Sequence, residues 1–394
     1  MTQASAQHDV VVVGAGVVGS AIARELSRFR LRCALVEAGV DIGAGTSKAN
    51  TALLHTGFDA KPGTIEARLV RRGHELLSDY APRAGIPLQR IGALLVAWSR
   101  DEHAQFPGII ERSLANGYES IREVDMEELY RRIPDLGPGA YGGLEVPDEG
   151  IVCPFTTPLA FATEAVLGGC ELWLRAPVTG VRRLADGALE IITPSGLLRT
   201  RYLVNAAGLH SDELDRMLGH DAFTVEPRRG ELIVFDKLAR PLLDHVLLAV
   251  PTATTKGVLL APTVFGNLLL GPTAEDVKDK RDTSSTAPGL AYLRSEGLRI
   301  MPALAQHEVT ATYAGLRAAT EHADYSSRST LPRGTCAWAG SAPPAFRPRW
   351  RSPSTWARSS PVPASRWSQA SRRRACACRT SVRAFRAHTR SRSG

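Results

Sequence analysis

The sequence predicts an α/β chain of two domains, one built on a parallel sheet and one on an antiparallel sheet, with a tail of different character. Three observations predict it. A β-branched run, Val10 to Val13, leads through Gly14-x-Gly16-x-x-Gly19 into a helical pattern. Farther on, "GELIVFDK" and "GNLLLGPT" read as short apolar strands of an antiparallel sheet. From Ser326 to Gly394 there are 15 Arg but no Lys, Asp, Glu, Ile, Asn or Tyr, and four of the six Trp lie there. A length of 394 residues suits two domains of about 150 residues each.

Each element of the first domain has a local cause. Val10 to Val13 is the continuous apolar run of a buried parallel strand. The three glycines permit a tight turn and close backbone approach. Ala21, Ile22, Leu26 and Phe29 then mark a helix whose N-terminus faces the turn. A second strand, Cys33 to Val36, ends in Glu37, 18 residues after Gly19. Strand, turn, helix, strand and acid in this order form a Rossmann-like dinucleotide fingerprint, in which the carboxylate accepts from a ribose hydroxyl. Glu37 disfavours a 2′-phosphate, so the pattern admits NAD or FAD over NADP and does not choose between them.

Charge and cysteine usage exclude several classes. The tail removes 15 of 48 basic residues from the body, leaving 33 against 40 acidic, a net charge of −7. Nothing in that body points to nucleic acid or to an anionic membrane. The six cysteines, Cys33, Cys153, Cys170, Cys336, Cys376 and Cys378, show no zinc spacing, and no metal site is expected. The opening residues MTQASAQH lack a secretory pattern, and the longest apolar run is too short to span a bilayer. These features suggest a cytoplasmic protein without an integral membrane segment, free or peripheral at the inner face of the membrane.

The stretch "GAGTSKANTALLHTGFDAKPGT", Gly43 to Thr64, separates the cofactors. A nicotinamide enzyme would continue into another helix and strand. Here small hydroxyl and amide residues, Thr46, Ser47, Asn50 and Thr51, precede His55. Such groups can bond a ring edge and ribityl hydroxyls without bulk. With this stretch the chain resembles the FAD-dependent oxidoreductases of the D-amino-acid-oxidase superfamily, most of all their glycerol-3-phosphate dehydrogenase/oxidase branch. The resemblance continues through "VPDEGIVCPF", "VNAAGLHSD", "PRRGE", "APTVFGNLLLGPTAED" and "TYAGLRAAT", in order, from Asp9 to about Asp324.

The resemblance implies a discontinuous FAD domain of glutathione-reductase-like topology over residues 1–90, 150–215 and 315–325. An α+β substrate domain would be built from 91–149 and 216–314. Val178, by resemblance, meets the adenine through its backbone, and Ala206 and Gly208 end a strand where a ligand can approach closely. The resemblance also sets His55 beside the isoalloxazine. Histidine titrates near neutral pH, so His55 can serve as the base for a substrate hydroxyl, or else bond the ring edge structurally. A phosphorylated or carboxylated substrate needs fixed cations: Arg317 first, because guanidinium holds such anions bidentately, then Lys256 and Arg229. His103, His210 and His307 are isolated and read as structural. The implied reaction is oxidation of sn-glycerol 3-phosphate, a small anionic substrate, with oxygen or a quinone as final acceptor. An L-2-hydroxyglutarate-type oxidase is the alternative within the same chemistry.

The tail yields to arithmetic on codons. Arg, Ala, Pro, Ser, Trp and Cys are what GC-rich DNA encodes when read out of frame. Trp338 to Phe346, back-translated and read two bases later, can give Gly-Gly-Ile-Arg-Ser-Thr-Gly-Leu, which resembles the C-terminal flavin-binding segment of the family. The expectation is a frameshift near Tyr325, with residues 326–394 an aberrant, largely unstructured tail. Such a chain would bind FAD weakly and be poorly active, or an inactive product.

Overall fold

The structure is a computed structural model that describes residues 6–251, 257–322, 324–329 and 335–339, the stretches from 326 onward by their backbone. Ala6–Val13 is the central strand of the first sheet and pairs parallel with Cys33–Val36 on one side and Gly196–Asn205 on the other. Glu171–Trp173 continues the sheet beyond Cys33–Val36, again parallel. Val10 to Val13 and Cys33 to Val36 are all buried, the burial that a continuous apolar run demands. The fingerprint helix Val17–Leu26 packs on Thr156–Leu167. Their shared core includes Ala23, Leu26, Ala162 and Ala165.

Strand Gly196–Asn205 changes partners along its length. Its first half pairs antiparallel with Leu189–Thr193, which in turn pairs with Gly180–Arg183 at the sheet edge. Its last residues, Leu203 to Asn205, pair parallel with Thr335 to Ala337 of the strand Thr335–Ala339. That strand forms an antiparallel pair with Ser326–Ser329. Two short strands therefore lie within the 326–394 stretch, which was expected to be largely unstructured. Residues 340–394 lie outside the described residues.

Among the described residues the second sheet has nine strands and is mostly antiparallel. Val225–Phe235 pairs antiparallel with Leu268–Gly271, as "GELIVFDK" and "GNLLLGPT" predict. Ala93–Ala97 and Gly142–Val146 extend it, and a cluster of Leu94, Val96, Leu260, Leu268, Leu270 and Leu293 fills its core. The strand Val309–Thr320 pairs with Val225–Phe235 from Val225↔Thr320 to Phe235↔Val309. Residues 315–320, expected in the cofactor domain, thus pair within the second sheet, and Gly315 to Ala318 line the cavity shared with the fingerprint turn. Cross-strand pairing over more than 80 residues of separation carries no local sequence signal.

A small sheet of Leu53–Leu54, Leu88–Arg90 and Gly150–Val152 lies between these units in sequence. It returns the chain to Glu149 and His55. Helix Ile65–Ala84 starts at Thr64, whose hydroxyl accepts from Ala67 N, and ends at Gly85 with φ 69°. Its first free amides, Ile65 N and Glu66 N, donate to the Asp324 carboxylate at 2.7 and 2.9 Å. Asp324 so pins the end of the second-sheet segment to this helix.

Candidate active site

The fingerprint turn is built by backbone packed on backbone. Gly14 has φ 102°, and a Cβ there would collide with the Ala206 carbonyl. A Cβ on Gly19 would fall on the Gly14 carbonyl oxygen. Only glycine meets both demands. Glu37 closes the turn, its carboxylate accepting from Ala15 N and Gly39 N, each at 2.7 Å. Ser47 Oγ accepts from Val17 N at 2.9 Å, so the hydroxyl-rich loop is stitched to the N-terminus of the fingerprint helix.

That loop is internally braced. Thr46 Oγ1 donates to Leu316 O at 2.8 Å, and Asn50 Nδ2 donates to Ser47 O at 2.8 Å. Asn50 Oδ1 accepts from Ala52 N at 2.7 Å, holding Ala52 at φ 55°, a conformation rare for alanine. Tyr313 donates its hydroxyl to Asn50 O at 3.1 Å, and burial pushes its pKa up to about 12. Gly315 brings the second sheet against the loop, since a Cβ there would meet the Ala49 carbonyl.

Between these parts runs a cavity of about 850 Å³, within the range of cofactor sites. Gly14, Gly16, Glu37, Thr46, Ser47, Asn50, Val178, Ala206, Gly208 and Arg317 line it. The fit to an FAD-sized group rests on this volume and on a glycine cradle next to an acid. Gly19 lies behind the wall and shapes the turn. Thr51 lines an adjoining cleft of about 20 Å³ with Arg228, Arg229 and Arg317. Lys256 lies outside the described residues.

The cations are not equivalent. Arg317 stands directly opposite Arg228 on neighbouring antiparallel strands, an arrangement unfavourable for like charges unless anions intervene. Asp276 meets Arg228 with both oxygens, at 2.6 and 2.9 Å. Arg229 is 5% exposed and is held by Glu275 at 2.6 Å and Asp282 at 3.0 Å. Those carboxylates make Arg229 a cross-link within the second domain, in place of the expected substrate contact.

His55 follows the short strand Leu53–Leu54 and lies outside the cavity wall. Its Nδ1 is 2.8 Å from Glu149 Oε2. Glu149 is 1% exposed, and its other oxygen accepts from Thr56 N at 2.8 Å and Thr56 Oγ1 at 2.9 Å. Sequence reasoning missed Glu149, although it lies within the quoted "VPDEGIVCPF". Its one signal is an acid in a turn directly before an apolar strand. Lys280 was missed too: it lines the cavity and bonds Asp212 at 2.6 Å and Glu213 at 3.0 Å. Burial pushes the Asp212 carboxyl up, but Lys280 and the Val225 amide outweigh it and hold the group below its ordinary value. A carboxyl so depressed stabilises the fold above its unfolded pKa, and this clamp is lost only as pH falls through the lowered value. His103 pairs with Glu123, and His210, which lines the cavity, pairs with Glu213.

A family model described as FAD dependent oxidoreductase matches residues 9–342. The glycerol 3-phosphate dehydrogenase of Caloramator mitchellensis is 35% identical over 317 residues, covering 80% of this chain and 66% of that protein. The glycerol 3-phosphate oxidase of Mycoplasma pneumoniae is 31% identical, covering 79% of this chain and 83% of that one. Among solved structures, dithionite-reduced L-alpha-glycerophosphate oxidase from Mycoplasma pneumoniae with FAD bound aligns at TM-score 0.82 and 28% identity. That alignment covers 87% of this chain and 91% of the other. The chain spans just under two thirds of the Caloramator protein's length.

The glycine geometry makes a direct prediction. Gly19→Ala forces the turn apart, so the purified chain should release far less flavin per mole on denaturation than the parent, at least about 10-fold less, the cost of roughly 1.4 kcal/mol in binding. Equal yellow chromophore from both proteins would show that the turn does not carry the cofactor.

Proposed function

The chain belongs to the family of FAD dependent oxidoreductases, and from that premise we propose that it oxidises sn-glycerol 3-phosphate to dihydroxyacetone phosphate. The names of both glycerol 3-phosphate relatives support this substrate. FAD, when bound, supplies the acceptor for the hydride that leaves the carbinol carbon. Gly14, Gly16, Glu37, Ser47, Val178, Ala206 and Gly208 are the residues that would hold it. Arg317 holds the substrate's anionic group, with Lys256 as a further candidate cation. His55 accepts the hydroxyl proton on Nε2.

The observation that carries this reading is the bond from His55 Nδ1 to Glu149. It commits one ring nitrogen and leaves the other for a substrate. Oxidation of an alcohol needs such a group, whereas an amine substrate does not need a base of this kind. Oxygen as the final acceptor is supported by the oxidase name of the Mycoplasma relative, and a quinone is the other candidate.

The frame of the tail enters the same proposal. The family match to residue 342 and the pairing of Thr335–Ala337 with Leu203–Asn205 support a frame that changes after residue 337, later than Tyr325. The octapeptide recovered by the shifted frame then follows directly.

The substrate, the two side-chain roles and the frame are each open to measurement. In the FAD-loaded chain under anaerobic conditions, sn-glycerol 3-phosphate should bleach the flavin, and L-2-hydroxyglutarate should not. His55→Ala should keep its FAD and reduce it roughly 10²–10⁴-fold more slowly. Arg317→Ala should chiefly raise the half-saturating substrate concentration, by about 10- to 100-fold. A parent-like rate in His55→Ala places the base elsewhere. Resequencing the gene around codons 335–342 should reveal an inserted or missing base, and an uninterrupted frame there refutes that part of the proposal.

A further inference from the structure

Glu149 sits in a tight turn, and the turn is fixed from every side. Gly92 N donates to Glu149 O at 2.9 Å, and Glu149 N donates to Val146 O at 3.3 Å. The neighbouring Asp148 is gripped by Tyr118, whose hydroxyl lies 3.1 Å from Oδ2 and accepts from Asp148 N at 3.2 Å. His74 Nε2 reaches the Asp148 carbonyl at 2.9 Å. The Glu149 carboxylate therefore has no freedom to follow a moving ring. It presents Oε1 to Thr56 and Oε2 to His55.

Among the described residues, His55 is the basic side chain that Glu149 pairs with. A buried carboxylate without a cation is a costly choice for a partner that only needs orienting, since a backbone carbonyl would orient an imidazole as well. A carboxylate can only accept, so Nδ1 carries the hydrogen and the lone pair lies on Nε2. When Nε2 takes a proton the ring becomes positive, and the carboxylate is already 2.8 Å away. Because Glu149 is buried, that proximity offsets the new charge.

We propose that Glu149 is the positioning residue of the reaction: it fixes His55 as the Nδ1–H tautomer and compensates the charge that the ring gains from the substrate's hydroxyl proton. The O–H bond of the substrate breaks, its proton passes to Nε2, and Glu149 remains ionised throughout. The inference rests on His55 as the base and deepens that reading. Thr56, 4% exposed, completes the arrangement by holding the opposite oxygen.

The test joins ring spectroscopy to kinetics. Nitrogen-15 NMR of histidine-labelled chain, with the His55 signal assigned by its loss in His55→Ala, should show a protonated Nδ1 and an unprotonated Nε2. In Glu149→Gln an Nε2–H population should appear, because the amide can donate to Nδ1. Anaerobic flavin reduction in the FAD-loaded variant should slow about 10²–10⁴-fold at an unchanged half-saturating substrate concentration. The double variant His55→Ala/Glu149→Gln should be no slower than His55→Ala alone, since the two side chains act as one unit. A Glu149→Gln variant with the parent tautomer and parent rate, beside a slow His55→Ala, overturns this inference and leaves the base in place. A fast His55→Ala instead overturns the base and this inference with it. Should Glu149→Gln fail to retain FAD, the parent chain decides the matter: a ring that carries its hydrogen on Nε2 and not on Nδ1 overturns the proposal.

Discussion

The cofactor cavity depends on two places where backbone lies against backbone with no room for a side chain. At the first, Gly14 and Gly19 let the turn after Ala6–Val13 close onto Ala206, at the end of the neighbouring parallel strand. At the second, Gly315 lets the second sheet rest on the carbonyl of Ala49. The first contact makes a floor and the second a lid, and the space between them is the 850 Å³ cavity. A methyl group at either contact separates the parts by more than the few tenths of an ångström that packed protein tolerates.

Charge is placed around this cavity with its partners arranged beforehand. The carboxylate of Glu37 is fixed by two backbone amides. Lys280 faces the cavity but is tied to Asp212 and Glu213, joining the loop before Ala287–Ile300 to Ser211–Met217. Arg228 is neutralised by Asp276 and Arg229 by Glu275 and Asp282. Preorganisation of this kind removes the cost of rearranging dipoles during reaction. The same principle relates Glu149 to His55, where the carboxylate is set before any proton moves.

Legibility in the sequence followed the range of each interaction. The fingerprint was plain because strand, glycines, helix and acid lie within about 30 residues and each has a local signature. Val178, named through the family resemblance, and Ala206 and Gly208, named as small residues at a strand end, all line the cavity. What was hidden depended on distant pairing. Glu149 lies 94 residues from His55, and nothing near it in sequence declares the contact. Arg229 looked like a ligand cation until Glu275 and Asp282, 46 and 53 residues away, were seen to hold it. The membership of residues 315–320 in the second sheet was equally invisible. So was the regular strand Thr335–Ala339, inside a stretch whose composition alone suggested no order.

In the proposed reaction His55 presents an unprotonated Nε2 to the hydroxyl of a substrate held by Arg317 over FAD. A crystal structure of the FAD-loaded chain with sn-glycerol 3-phosphate, the flavin chemically reduced to stop turnover, tests this arrangement. His55 Nε2 should lie at about 2.6–3.2 Å from the secondary hydroxyl, with Nδ1 still on Glu149 and the phosphate on Arg317. A substrate hydroxyl bonded to some other group, with the His55 ring turned away from it, would exclude His55 as the base.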